Sequence, residues 1–451
     1  MHPSVPAAGP GLPLVLLWVL AMTMAQVVRQ PGVPSWDSVW QEDGGIFLTD
    51  ALFESFPRTL VHAYNAYLHV VPRVVAGLAA ALPVERAALV LSVSSALVVA
   101  LLSVYVYFAS ARLLRSEWAR LLLAALFVLL PATAYETNAN VANLHWYLLL
   151  ACFWAVLARP RSWPSVALAT TVVAAAALSD PMAGLFLPLA LLVVWKRTAR
   201  RDLVVPAVFM VAVAGQLALG AFAKSPEPYS PAHVADLPGI FALRVAGSFL
   251  VGDRYLHYFW EHFRWWFAYL SLLAVALLLA YGLAKVQPSS RFYIAVCVVY
   301  SVLFLVVPLM LRGTEQFLNG RGFTLNGSRY MVVPIWFLLL AVLLVLDRPP
   351  SATSPSAWRM LQQAFVLYSL VLVVVNFSDF AVRTAGPSWR QQLAAARERC
   401  ARGERDPLNP PGLGGEMVSR ARKYHTDVFV LIAPNIEPHT FAVPITCRRL
   451  R

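Results

Sequence analysis

Apolar runs of membrane-crossing length recur along the whole chain, at about 11–29, 87–110, 120–138, 143–158, 163–179, 181–195, 203–222, 265–284, 292–311, 330–346 and 360–376. The hydrocarbon layer of a bilayer is about 30 Å thick, and a helix needs about 20 apolar residues to cross it. Backbone groups in lipid must be satisfied within the segment, so such runs fold as helices. Only 13% of the 451 residues are charged and 59% are hydrophobic, which leaves too little polar surface for a soluble domain of this size. The expected fold is an all-α polytopic membrane protein with about eleven transmembrane helices.

Charge placement orients these spans. With a cytoplasmic N-terminus, Arg112, Arg115, Arg120, Arg159, Arg161, Lys196, Arg197, Arg200, Arg201, Lys285, Arg291, Arg348 and Arg359 fall on the inner side, as the positive-inside rule requires. The acidic stretches Asp37 to Glu54, Glu136, Asp180, Glu227 to Glu261 and Glu315 then fall outside. A further apolar stretch, 68–83, is broken by Pro72-Arg73. Counting it as a span would invert every later loop, so it is expected to be re-entrant or interfacial. The first apolar run lacks a basic n-region and a good cleavage site, so a retained helix is expected rather than a signal peptide. The chain divides into a transmembrane domain, 1–376, whose first outer loop is 30–86, and an extracytoplasmic tail, 377–451.

The net charge of +13 comes from short clusters between apolar runs and implies no nucleic-acid partner. Four lysines stand against 32 arginines, a bias of GC-rich bacterial genomes; the planar guanidinium also suits phosphate recognition. Cys152 and Cys297 lie inside apolar runs and are expected to be inert packing. Cys400 and Cys447 lie in the tail, where an oxidising compartment favours a disulfide between them. The tail is expected to be helical near Trp389 to Arg402 and extended over Asp427 to Ile432.

Chemistry-bearing residues cluster at the outer interface. Glu42 and Asp43 sit side by side before Gly44-Gly45, where a glycine backbone lets a ligand approach closely; one of the pair is suited to act as a general base. Asp50 and Glu54 share one face of a short helix suited to lying on the membrane. Tyr64 to Arg73 is an unusually polar opening to an apolar run. Between two spans, Glu136 and His145 stand among three asparagines, of which Asn143 is a natural helix cap. Asp253, His257, Glu261 and Arg264 recur at helical spacing on one face. That face is either a salt-bridge ladder or, with Arg254, a phosphate contact. Arg312, Glu315, Arg321 and Arg329-Tyr330 crowd one outer loop. Outward arginines run against the positive-inside trend, and an anionic lipid-phosphate substrate supplies a reason.

This organisation resembles the GT-C-fold glycosyltransferases, polytopic enzymes that use polyprenyl-phosphate-linked sugars, and in particular bacterial members related to the protein O-mannosyltransferases. The resemblance rests on the acidic pair Glu42-Asp43 in the first outer loop, the short outer connections, Arg329-Tyr330 at a helix start and the soluble tail. It implies inverting transfer of a sugar from a polyprenyl-phosphate donor to a glycan, lipid or protein acceptor at the cell inner membrane. The general base would be Asp43 or Glu42. Donor-phosphate contacts would come from Arg254, His257, Arg264, Arg321 and Arg329, with Tyr330, Glu136 and His145 beside them. Metal dependence varies across that fold, so a divalent metal stays open and no ligand is assigned to one.

A transporter or flippase of lipid-linked sugars is the alternative. Such proteins place ionisable groups near mid-membrane and are often built from repeated halves. Here the spans are nearly free of charge and no internal repeat is visible. A polymerase or ligase would concentrate its polar residues in one large late loop, whereas these are spread over several.

Overall fold

In the computed structural model the described residues are 10–196, 199–220, 230–318, 327–347, 355–378, 383, 385–407, 412–436 and 439–451. The chain is an all-α polytopic membrane protein. Seven helical segments among the described residues are long and apolar enough to cross a membrane: Val84–Ser110, Arg200–Gly220, Val234–Val251, Asp253–Lys285, Ser290–Arg312, Arg329–Leu346 and Ser356–Val375. Shorter apolar helices run over Leu12–Val28, Leu144–Leu157, Trp163–Ala177 and Pro181–Trp195.

Three segments differ from the sequence-based expectation. The run expected at 120–138 stops as a helix at Leu129, where Pro131 enters a short turn. Val234–Val251, expected in an outer loop, is a continuous apolar helical segment; Pro238 and Arg244 interrupt its apolar run in the sequence. Asp253–Lys285 begins a dozen residues before the expected span and breaks at Arg264, where φ is 50° and ψ −135°. The stretch expected to be re-entrant forms the 11-residue helix Val70–Ala80, about 16 Å at 1.5 Å per residue and too short to cross.

Two helices form the centre. Every residue of Leu144–Leu157 is buried, as is every residue of Arg329–Leu346 except Arg329. Such uniform apolarity is what a helix surrounded by other helices requires. Phe153, Phe186, Tyr300, Phe304 and Phe337 interlock between them and their neighbours, with ring centroids 5.0 to 6.2 Å apart.

The tail docks on the first loop. It comprises helices Trp389–Ala401 and Gly415–Tyr424 and an antiparallel hairpin, β1 (Val428–Ile436) and β2 (His439–Ile445). Cys400 and Cys447 are joined in a disulfide, with Cα atoms 5.5 Å apart, while Cys152 and Cys297 are buried thiols. The indole of Trp389, 1% exposed, donates to the carbonyl of Val84 at 2.9 Å.

The Gly44-Gly45 pair serves this docking rather than a ligand. A Cβ on Gly44 would lie 2.7 to 2.8 Å from Val39, Ile432 and Val443. The amide of Ala433 donates to the carbonyl of Val39 at 2.9 Å. Asp50, fully buried, likewise does not face the membrane. It accepts from Arg73 at 3.1 Å and Arg420 at 2.9 Å. Glu54 pairs with Lys423 at 2.5 Å and accepts from the Tyr424 hydroxyl at 2.7 Å. Burial by itself would raise the pKa of Asp50, but Arg420 and Arg73 hold it below its ordinary value.

Candidate functional site

A cavity of about 300 Å³ opens where the two central helices begin. Glu42, Tyr64, Tyr67, His69, His145, Asp180, Arg312, Arg329 and Tyr330 bring its ionisable side chains and Asn65, Asn143 and Trp146 add further polar and aromatic wall. Leu144–Leu157 and Arg329–Leu346 both begin at this region, where the positive end of a helix dipole favours an anion.

The adjacent acids divide their work. Asp43, 1% exposed, does not line the cavity; its carboxylate accepts the amides of Val141 at 2.9 Å and Ala142 at 2.7 Å. It thereby ties the first loop to the strand of chain leading into the Leu144–Leu157 helix. Burial pushes its pKa up to about 7, against the two amides and Arg383. Arg383 in turn, 3% exposed, donates to the carbonyls of Ala139 at 2.7 Å and Ser38 at 2.9 Å. Glu42 is the half-buried member that lines the cavity. Desolvation raises its pKa above the ordinary 4.5, and Arg329 opposes that rise.

Glu136 supports the cationic wall from behind. It accepts the amides of Gly327 at 3.0 Å and Arg329 at 2.9 Å, the Ser328 hydroxyl at 3.4 Å and the Arg329 guanidinium at 3.4 Å. A carboxylate there both caps the Arg329–Leu346 helix and fixes Arg329 at the cavity rim. The Arg329 guanidinium lies 5.1 Å from the Tyr330 ring centroid.

Across the cavity, His145 Nδ1 is 2.5 Å from Asp180 Oδ2, and the other oxygen of Asp180 accepts the Met182 amide at 2.7 Å. The carboxylate therefore sets the orientation of the imidazole. An aromatic wall continues from His145: its ring centroid is 4.4 Å from Trp146, which meets Tyr330 edge-on at 5.6 Å. His69 stacks on Tyr67 at 4.0 Å, and burial, with His145 and Arg73 nearby, pushes its pKa well below the ordinary value. His69 is therefore neutral at pH 7. The turn that presents Tyr67 closes through reciprocal backbone bonds between Tyr64 and Tyr67. Its central residues, Asn65 and Ala66, have φ of 53° and 67°, a conformation disfavoured for non-glycine residues and concentrated at ligand-facing turns.

The structure thus brings Glu42, His145, Arg329 and Tyr330 to one cavity, with Asp43 and Glu136 just behind it. It does not bring Arg254, His257 or Arg264 there. The Arg254 guanidinium caps a helix end at the carbonyls of Val375 and Ser378, 3.4 and 3.3 Å away. Arg264 pairs with Glu261 at 3.2 Å. Of the expected charged face Asp253 is buried, while His257, Glu261 and Arg264 are exposed and the Glu261–Arg264 pair fits the salt-bridge alternative rather than a phosphate contact. Arg321 lies outside the described residues.

Asp180, Tyr67 and His69 enter the site without having been singled out individually. The signal for Asp180 was an acid directly before proline at the end of an apolar run; that for Tyr67 and His69 was the polar opening at Tyr64 to Arg73. Among the described residues no group of three His, Cys, Asp or Glu side chains gathers with metal-binding geometry.

No family model and no curated protein matches the chain. Among solved structures, an Archaeoglobus fulgidus oligosaccharyltransferase, crystallised in complex with zinc and sulfate, is similar over 85% of this chain and 55% of that one. The identity is 13% and the TM-score 0.42. The chain spans about half the length of that protein. What the chain's own residues establish is a multi-pass membrane protein with an acid, two arginines and a carboxylate-oriented histidine around one cavity at the end of its central helices.

Proposed function

We propose that this chain is a membrane glycosyltransferase of the GT-C kind, transferring a sugar from a polyprenyl-phosphate donor to a glycan, lipid or protein acceptor with inversion at the anomeric carbon. The observation that carries the proposal is the arrangement of Glu42 and the arginines Arg312 and Arg329 around one cavity at the N-termini of two buried helices. Glycosyl transfer from a lipid phosphate needs a base for the acceptor hydroxyl and positive charge for the departing phosphate. In this reading Glu42 takes the proton of the acceptor hydroxyl. The acceptor oxygen bonds to the anomeric carbon as the carbon–oxygen bond to phosphate breaks, and the phosphate leaves with the electron pair.

Arg312 and Arg329, with the positive end of the Leu144–Leu157 helix dipole, neutralise that phosphate. His145, its Nδ1–H held by Asp180, accepts a hydrogen bond at Nε2 from a sugar hydroxyl. Trp146, Tyr330 and Tyr67 supply flat apolar faces for a sugar ring. Asp43 and Glu136 are positioning residues, acting through the 141–142 backbone and through Arg329. The outward-facing site and tail, the cytoplasmic N-terminus and residence in a bacterial inner membrane belong to the same proposal.

The test is sugar transfer or release by the purified full chain from radiolabelled polyprenyl-phosphate sugars, comparing wild type with Glu42→Gln. Turnover lost in Glu42→Gln, with donor binding kept, is the expected result. Turnover unchanged in that variant would overturn the assignment of the base. Tight donor binding without turnover in the wild type would favour a carrier of lipid-linked sugars instead.

A further inference from the structure

A second cavity, about 290 Å³, lies at the opposite end of the same helices. Leu144–Leu157 begins at the candidate site and ends at Leu157, which lines this second cavity. Pro288–Arg312 contributes Phe292 and Tyr293 here and Leu311 and Arg312 there. At 1.5 Å per residue, Phe292 and Leu311 are roughly 28 Å apart along that helix. This is close to the thickness of the hydrocarbon layer, so the two cavities face opposite leaflets.

Among the described residues, the second cavity is lined by three cations and no acid. Arg112, Arg159 and Lys196 each follow the end of a different helix, after Ser110, Leu157 and Trp195. Convergence from three separate chain segments distinguishes the site from a run of basic residues in one loop. Arg112 is anchored by donating to the carbonyl of Leu157. Burial lowers its pKa, and Arg159 lowers it further; Asp202 acts on it from outside the lining, more weakly than Arg159 does. Like charges held together around a concave space are relieved by an anion. The remaining wall, Leu157, Leu189, Leu192, Val193, Phe292 and Tyr293, is apolar apart from the Tyr293 hydroxyl.

We infer that this cavity binds the headgroup of an anionic phospholipid from the leaflet opposite the candidate site, its phosphate between Arg112, Arg159 and Lys196 and its acyl chains along Leu189, Leu192 and Phe292. A soluble phosphate would use the cations but gain nothing from the apolar wall. A zwitterionic lipid would use the wall but carry its own cation toward three others. The combination selects a lipid with net negative charge. This inference concerns the opposite face and stands whatever reaction the first cavity supports.

The experiment is native mass spectrometry of the full chain released from nanodiscs of phosphatidylcholine containing a minor fraction of phosphatidylglycerol. The wild type is expected to retain phosphatidylglycerol with a preference over phosphatidylcholine on the order of tenfold or more, since each basic residue near a membrane surface contributes about a factor of five. The double variant Arg112→Gln, Arg159→Gln is expected to lose that preference, and Lys285→Gln, a cation outside the cavity, to keep it. Should the double variant fail to fold, the single change Lys196→Gln, at an exposed position, carries the same expectation in weaker form. Equal retention of the two lipids by the wild type, or a preference unchanged in the variants, would overturn the inference. Displacement of the lipid by millimolar inorganic phosphate would overturn it too, in favour of a soluble anion.

Discussion

Asp43 and Glu42 are neighbours with separate tasks: the Asp43 carboxylate takes the amides of Val141 and Ala142, 2.9 and 2.7 Å away, while Glu42 faces the cavity. The first acid shapes the loop that the second works beside. Replacing each by its amide therefore gives different failures. Asp43→Asn presents an NH2 group to one of two amide donors and leaves that donor unsatisfied, which costs about 1–3 kcal/mol. A lowered melting temperature is expected for Asp43→Asn and an unchanged one for Glu42→Gln, measured by intrinsic tryptophan fluorescence in detergent.

The Asp43 carboxyl also predicts a pH dependence. Its native pKa of about 7 lies above the ordinary 3.8, so between those values the folded chain binds more protons than the unfolded one. Stability from this group is complete below 3.8 and is lost as pH rises through 7. The wild type is expected to lose melting temperature between pH 5 and pH 8 more steeply than Asp43→Asn. Parallel curves for the two proteins would rule this out.

On the proposed reading, catalysis should titrate with Glu42 in the opposite sense, since a general base must be ionised. Desolvation places its pKa above 4.5 and Arg329 holds it down. The ascending limb of kcat/KM should therefore lie at higher pH than for an ordinary glutamate, and Arg329→Gln should move it higher still. A limb unmoved in Arg329→Gln would separate Arg329 from Glu42.

Asp50 is fully buried between Arg73 and Arg420. Asp50→Asn leaves buried Arg73 without its counter-charge and Arg420 with Glu416 alone, a loss of roughly 3–5 kcal/mol for a broken buried pair. Because the native pKa of Asp50 is held below its ordinary value, its contribution is present above about pH 4 and disappears as pH falls through the native value. Limited proteolysis should show the tail released first in Asp50→Asn and, in the wild type, only in acid.

The disulfide closes a sequence separation of 47 residues. Chain-entropy reasoning gives roughly 4 kcal/mol for a loop of that length. Cys400→Ser with Cys447→Ser should lower the melting temperature of the tail while Cys152→Ser leaves tail docking intact, read by tail proteolysis.

The helices were legible because apolar length is a local property; the runs ending at Trp195 and Leu346 needed no partner to be seen. Val234–Val251 escaped because Pro238 and Arg244 interrupt it, and only its packing absorbs the buried Arg244. The site was partly legible for a different reason. An acid pair shows that chemistry is near, but which member faces a cavity depends on residues 141 and 142, about a hundred positions away. Asp253, His257, Glu261 and Arg264 satisfied helical spacing, yet spacing does not say which cavity a face meets, and none of the four lines this one. Asp180 becomes meaningful only once His145 is placed beside it.

The Ala433 amide and Val39 carbonyl share a hydrogen bond three residues before Glu42, and Gly44 has no room for a side chain because the hairpin fills it. Residues 1–376 and 377–451, expressed as separate polypeptides, should therefore behave as complementing fragments. Neither would be a miniature of the whole, and a tag, an antibody or a protease acting on the hairpin would be felt at the glutamate that lines the cavity.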